Sequence, residues 1–282
     1  MPIRPRVWRA PAALLVCVAV ILAAVLMLGA RPQPPVGPFA GIGPDALNPP
    51  ARAPSGLLPD GMRVGVVNAN RMRGPRGIEH RWRATACLTG LDLIGLVDVG
   101  GGMPFDTGVD QADQVGRWLG LASQFAAAER RYWTDYTGHA VLAAGRIGPW
   151  VRLPLPRAHG PGHHALLATT VTLGNQVANV MVAGVTEGPD RDGQVSAVLA
   201  QYDRAAGPAI LLADLATTPT DPLMAGVIAD PDLAAVSLDG QWVIARGFAI
   251  DRVQICDVGG SDRPRLAADL RPLRPSAAAP DG

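Results

Sequence analysis

The feature that most constrains the fold is a succession of short apolar runs between Gly61 and Pro272: MRVGVVNAN, LDLIGLVDVG, HALLATTVTL, VANVMVAGV, AILLADLA and FAIDRVQI. Runs of this length, bounded mostly by Gly, Pro, Asn or Asp, are what buried strands look like. Between them ADQVGRWLGLASQFAAAERR and GQVSAVLAQYDRAA carry helical spacing, and RGIEHRWRATACLTG predicts a further helix with Gly90 near its stop. Strands with helices to either side of a core predict an α+β domain, a four-layer α/β sandwich of two packed, mainly antiparallel sheets with outer helices. No repeat of fixed period is evident.

The N-terminus adds a separate element. Pro11 to Ala30 is uncharged and apolar, about long enough at 1.5 Å per residue for a bilayer core of roughly 30 Å. Arg4, Arg6 and Arg9 precede it and only Arg31 follows closely. By the positive-inside rule residues 1–9 are cytoplasmic, 10–30 form a single transmembrane helix, and the rest is extracytoplasmic at the cell membrane. A cleaved signal peptide is the competing reading. Leu28 at the −3 position before Ala30 favours the uncleaved signal-anchor. Residues 31–59, rich in Pro and Gly, read as a linker, 60–272 as the folded domain and 273–282 as a tail.

Charge narrows the partners. With the three leading arginines set aside, 22 basic residues face 24 acidic ones, a net of −2. A protein that grips phosphate backbones advertises a basic surface, so the balance argues against nucleic acid. The chain has no Lys at all, which excludes Schiff-base chemistry and the P-loop lysine. Cys17 lies in the apolar segment, leaving Cys87 and Cys256 for the domain. A disulfide between them suits an oxidising compartment, but sequence does not show that the two approach each other.

Across residues 62–272 the order of segments resembles the endonuclease/exonuclease/phosphatase family, which has the DNase I-like fold. MRVGVVNAN resembles the opening strand that ends in a metal-site Asn, here Asn68. LDLIGLVDV resembles the strand delivering a metal-binding Glu, with Asp98 at that position. YTGHAVLAAGR resembles a Tyr-Gly-Asn-Ala-Leu-Ser-Arg stretch, keeping Tyr136 and placing His139 where Asn belongs. VANVMVAGV resembles the strand ending in a catalytic His, but Gly184 stands there, and RDGQ follows as an Arg-x-x-Gln helix start. AILLADLA keeps Asp214 of a Gly-Asp-x-Asn strand end, with Ala216 for Asn. AIDRVQI and SDRP resemble the closing Ile-Asp-Tyr and Ser-Asp-His motifs, keeping Asp251 and Asp262 with Arg263 for His.

The resemblance implies a Mg²⁺- or Mn²⁺-dependent phosphoric ester hydrolase site. Asn68, Asp98 and Asp262 would be the metal-side oxygens, with Asp214, Asp251, Tyr136 and Arg263 as the catalytic group. Hard oxygen ligands suit such a cation. As turn-prone residues at strand ends, Asn68, Asp214 and Asp262 also have a purely structural reading. The residues lost, at 184, 216 and 263, are those that would face the phosphate. That pattern favours a membrane-anchored pseudoenzyme binding a phosphorylated ligand, lipid headgroup or protein partner. The alternative is a metal-dependent phosphoesterase acting on lipid-linked or small phosphate esters. The HGPGHH stretch, with His159, His163 and His164, invites a metal reading but is a loop without a fixed face.

Overall fold

A computed structural model describes residues 9–35, 39–42, 61–69, 88–101, 110–159, 162–256 and 265–273. In chain order the elements are α1 (Arg9–Ala30), β1 (Ala40–Gly41), β2 (Met62–Asn68), β3 (Leu93–Gly100), α2 (Gln111–Leu119), β4 (Ala122–Arg131), β5 (Thr134–Ala143) and β6 (Arg146–Pro154). They continue with β7 (Ala165–Leu173), β8 (Gln176–Gly184), α3 (Arg191–Asp203), β9 (Ala209–Asp214), α4 (Ala225–Ala229), β10 (Leu233–Leu238), β11 (Gln241–Arg246), β12 (Phe248–Cys256) and β13 (Arg265–Pro272).

The strands form two sheets, ordered β1-β6-β7-β8-β9-β11-β10 and β12-β13-β2-β3-β5-β4. Pairing is antiparallel except for β2 with β3 and β8 with β9. Alternation along β8, β9 and β11 divides the core. Val180, Val182, Ile210, Leu212, Val243 and Ala245 join the cluster shared with the other sheet. Their neighbours Met181, Ala183, Leu211, Ala213, Trp242 and Ile244 pack with Val195, Val198 and Tyr202 of α3. A period of two therefore buries both faces of these strands along their central residues, which is why those residues are apolar. The expected two-sheet sandwich is present.

The long helix expected from ADQVGRWLGLASQFAAAERR is instead a helix followed by a strand. Asp110 caps α2 by accepting the Ala112 N–H at 2.8 Å. Gly120, left-handed at φ 68°, ends it, and its N–H bonds to the Arg117 carbonyl. The alanine-rich stretch beyond is β4, paired along β5. Tertiary pairing overrides the helical preference of alanine. Most of RGIEHRWRATACLTG lies outside the described residues, although Gly90, at φ 94°, takes a helix-stop conformation.

The membrane anchor requires correction. Helix α1 covers Arg9–Ala30, but among the described residues no helix is long and apolar enough to cross a membrane. Part of the apolar run is used in docking. The Tyr132 N–H donates to the Gly29 carbonyl at 2.6 Å, and Gln33 and Arg130 exchange backbone bonds of 2.9 and 2.8 Å. A Cβ at Gly29 would stand 3.0 Å from the Trp133 ring. Leu14 to Leu28, still exposed, measure about 22 Å at 1.5 Å per residue, short of a bilayer core of roughly 30 Å. The transmembrane helix, the single-pass topology with an extracytoplasmic domain, and the membrane as partner are all withdrawn. Within 31–59, β1 pairs with β6 at the sheet edge.

Cys256 is disulfide-bonded and Cys17 is free. Cys87, the partner considered from sequence, lies outside the described residues. Elsewhere glycine sets how closely the sheets approach. A Cβ at Gly95 of β3 would fall 2.6 Å from the Cβ of Leu212 on β9. Gly95→Ala is expected to destabilise the fold by about 1–3 kcal/mol through overpacking. Urea denaturation would measure this, and an unchanged midpoint would contradict the close approach of β3 and β9.

Candidate active site

Four strand ends meet at one edge of the sandwich. The parallel pair β2–β3 sets Asn68 beside Val97, and the parallel pair β8–β9 sets Gly184 beside Asp214. The two pairs belong to different sheets, and a side-chain bond joins them: Asn68 Nδ2 donates to Asp214 Oδ2 at 2.7 Å. Asp214, 2% exposed, also accepts the Ala216 N–H on Oδ1 at 3.4 Å. A buried carboxylate is tolerated when donors are turned onto it, and these two fix its orientation.

Asp98 reaches the same place by a backbone irregularity. It sits at φ 51°, where the β3–β5 register slips between Leu96 and Val99. Thr137 Oγ1 donates to its Oδ1 at 2.6 Å. Asn68, Asp98, Thr137, His139, Gly184 and Asp214 all line one pocket of about 270 Å³. The opposite wall comes from the end of β4, the segment after β6 and the start of α3. Buried Glu129 accepts from Arg131 Nε at 2.6 Å and from the His163 N–H at 3.1 Å. Arg131 lies 4.8 Å over the Tyr136 ring. His164 Nε2 lies 3.4 Å from Thr186 Oγ1, and Gln194 Nε2 donates to the Pro156 carbonyl at 2.9 Å.

Of the residues expected from sequence, Asn68, Asp98 and Asp214 are brought together. Tyr136 does not line the pocket and sits behind Arg131. Asp251 is turned away, held by Arg271 at 3.0 and 3.2 Å. Asp262 and Arg263 lie outside the described residues. Glu129, Arg131, Thr137, His163, His164 and Gln194 were not expected there. A charged triplet closing the alanine run, Glu129-Arg130-Arg131, and the paired histidines of HGPGHH were the available signals. His159 pairs instead with Asp190 at 3.5 Å.

Solved structures show what this arrangement is similar to. A humanized D. rerio TDP2 carrying 14 mutations is 12% identical over 75% of this chain and 99% of its own, with a TM-score of 0.60. The human Nocturnin catalytic domain, with bound sulfate anion, is 14% identical over 77% of this chain and 95% of its own, at 0.56. An endonuclease/exonuclease/phosphatase family protein from Leptotrichia buccalis is 10% identical over 74% and 99%, also at 0.56. This chain has the endonuclease/exonuclease/phosphatase fold. No family model matches the chain, and a search of the curated proteins finds no match.

Within this fold the donor set can be tested against a divalent cation. Among the described residues no three His, Cys, Asp or Glu side chains are grouped to hold a metal by themselves. Mg²⁺ and Mn²⁺ do not require such a cage. They are commonly held by one or two carboxylates, with waters and substrate phosphate completing the shell. Asp98, with the amide oxygen of Asn68, offers hard oxygens in the pocket that Asp214 also lines, and these fit a cation of that kind.

His139 is buried, which pushes its pKa down to about 4, with His164 adding to the fall and Asp98 opposing it. An unfolded histidine titrates near 6.5, so between pH 6.5 and about 4 the unfolded chain binds the extra proton. The contribution of neutral His139 is present above that window and is lost as pH falls through it, by about 3 kcal/mol at most. The gap between the denaturation midpoints of the parent and of His139→Asn is expected to change with pH only within this window and to be level above and below it. A constant gap would contradict the burial of a neutral imidazole.

Proposed function

We propose that the chain is a metal-dependent phosphoesterase acting on small phosphate esters, with Asn68, Asp98 and Asp214 at its centre. The observation that carries this reading is the Asn68–Asp214 hydrogen bond, which sets an oriented carboxylate on the floor of the pocket that also receives Asp98. The expectation of a membrane-anchored pseudoenzyme is corrected: its anchor is not supported. Lipid-borne substrates lose the anchor that recommended them. The sulfate on the Nocturnin domain supports an oxyanion at a site of this fold, and the net charge of −2 beyond the leading arginines favours a small ester over nucleic acid.

In this reading Asp214 orients the attacking water and receives its proton, held for that task by Asn68 Nδ2 and the Ala216 N–H. Asp98 and Asn68 contribute oxygens to the cation, with Thr137 fixing the Asp98 carboxylate. A bound divalent cation supplies charge neutralisation at the phosphoryl oxygens. Asp262 belongs to the metal side and Arg263 to the phosphate side by resemblance, while Asp251 is engaged with Arg271. Gly184 and Ala216 offer no side-chain donor to the developing charge. A lost donor of that type lowers turnover by about 10²–10³, so the enzyme is slow.

The test uses the full chain with Mg²⁺ or Mn²⁺ and a panel of phosphate monoesters and diesters. Metal-dependent release is expected, and Asp214→Ala is expected to reduce it about 10²–10⁴-fold. Absence of metal-dependent release from every ester, with inorganic phosphate still bound, would replace this reading with a binding module.

A further inference from the structure

We infer that His139 is a positioning residue that holds Asp98 in its left-handed conformation, and that this role requires glycine at position 184. Asp98 counts as a metal-side residue only on the phosphoesterase reading; the geometry that ties it to His139 does not depend on that reading.

Leu96 pairs with Ala140 and Val99 with Gly138, so Val97 and Asp98 together face the single residue His139. This is a β-bulge, which re-aims a side chain at the cost of regular pairing. Asp98 adopts φ 51° there, a conformation that persists in a non-glycine residue only where its surroundings enforce it. β5 grips it on both sides of its Cα. Thr137 Oγ1 donates to its carboxylate at 2.6 Å, and its own N–H is directed to His139 Nδ1 at 3.4 Å. Thr137 and His139 are two apart on β5 and therefore share a face. Nδ1 as acceptor assigns the proton of the neutral ring to Nε2, a buried nitrogen that makes no hydrogen bond of its own among the described residues.

The ring needs room, and Gly184 gives it. A Cβ at position 184 would stand 2.8 Å from His139 Cε1 and 2.4 Å from Val97 Cγ1. Any side chain there collides with the imidazole and with the bulge it faces. Glycine at 184 is therefore more than a missing donor. The imidazole at this spot comes from β5, and the lack of a side chain at Gly184 on β8 leaves it room. Gly184→His alone would displace His139 and release Asp98.

Two substitutions separate positioning from bulk. In His139→Asn the amide oxygen can occupy the place of Nδ1 while the ring volume is vacated; His139→Leu keeps bulk and removes the acceptor. Three readouts on the full ¹⁵N-labelled chain decide the matter: hydrogen exchange of the Asp98 amide, affinity for Mn²⁺ alone, and the Tm loss caused by Gly184→Ala in each background. His139→Leu is expected to lose protection at Asp98 and to bind Mn²⁺ about 10–100-fold more weakly, the range for groups that orient a metal ligand. His139→Asn is expected to keep both close to the parent and to reduce the Tm loss from Gly184→Ala. Unchanged exchange at Asp98 in His139→Leu, or His139→Asn behaving like His139→Leu, would overturn the inference. A parent that binds no Mn²⁺ while Asp98 exchange responds as expected would support the positioning role and contradict the phosphoesterase reading alone.

Discussion

A carboxylate buried to the extent of Asp214, at 2% exposure, needs N–H groups turned onto it, and the nearest comes from the other sheet. Asn68 Nδ2 at 2.7 Å ends β2 just as Asp214 ends β9, so the bond closes the sandwich at the edge where the pocket opens. Everything else at the site depends on that closure. The parallel pairs β2–β3 and β8–β9 bring their strand ends to the same edge, and the close packing of Gly95 on Leu212 keeps the two pairs near enough for an Asn side chain to span them. Asn68 and Asp214 of the candidate site thus sit on strand ends instead of loops.

On this frame one local irregularity does the aiming. The bulge at Val97 and Asp98 turns a carboxylate into the pocket from a strand whose other side chains are core. His139 and Gly184 are complementary at that point, one filling the space the other leaves. The buried imidazole of His139 and the absent side chain at 184 together form one arrangement.

The sandwich was legible because strands buried on both faces are mostly apolar, as AILLADLA and VANVMVAGV are, and turn residues cut them to length. Asn68, Asp98 and Asp214 were legible as polar residues closing or interrupting such runs. What sequence concealed came from tertiary context. Ala126 to Ala128 carry helical preference yet pair as strand with β5. Asp251 sits in a recognisable motif yet pairs with Arg271 away from the pocket. Glu129 reaches the site from a run whose helical spacing pointed to the wrong element, and His163 and His164 from a loop with no periodic signal. The apolar N-terminal run satisfied a length criterion for a span, but its end is docked on Tyr132 and Trp133, which no count of residues reveals.

The most direct measurement is anomalous diffraction from crystals of the full chain grown with Mn²⁺ and inorganic phosphate. The account predicts a Mn²⁺ peak in the pocket between Asp98 and Asp214, with phosphate beside it. A peak at the His163 and His164 wall instead, or a pocket free of manganese at saturating concentration, would contradict it.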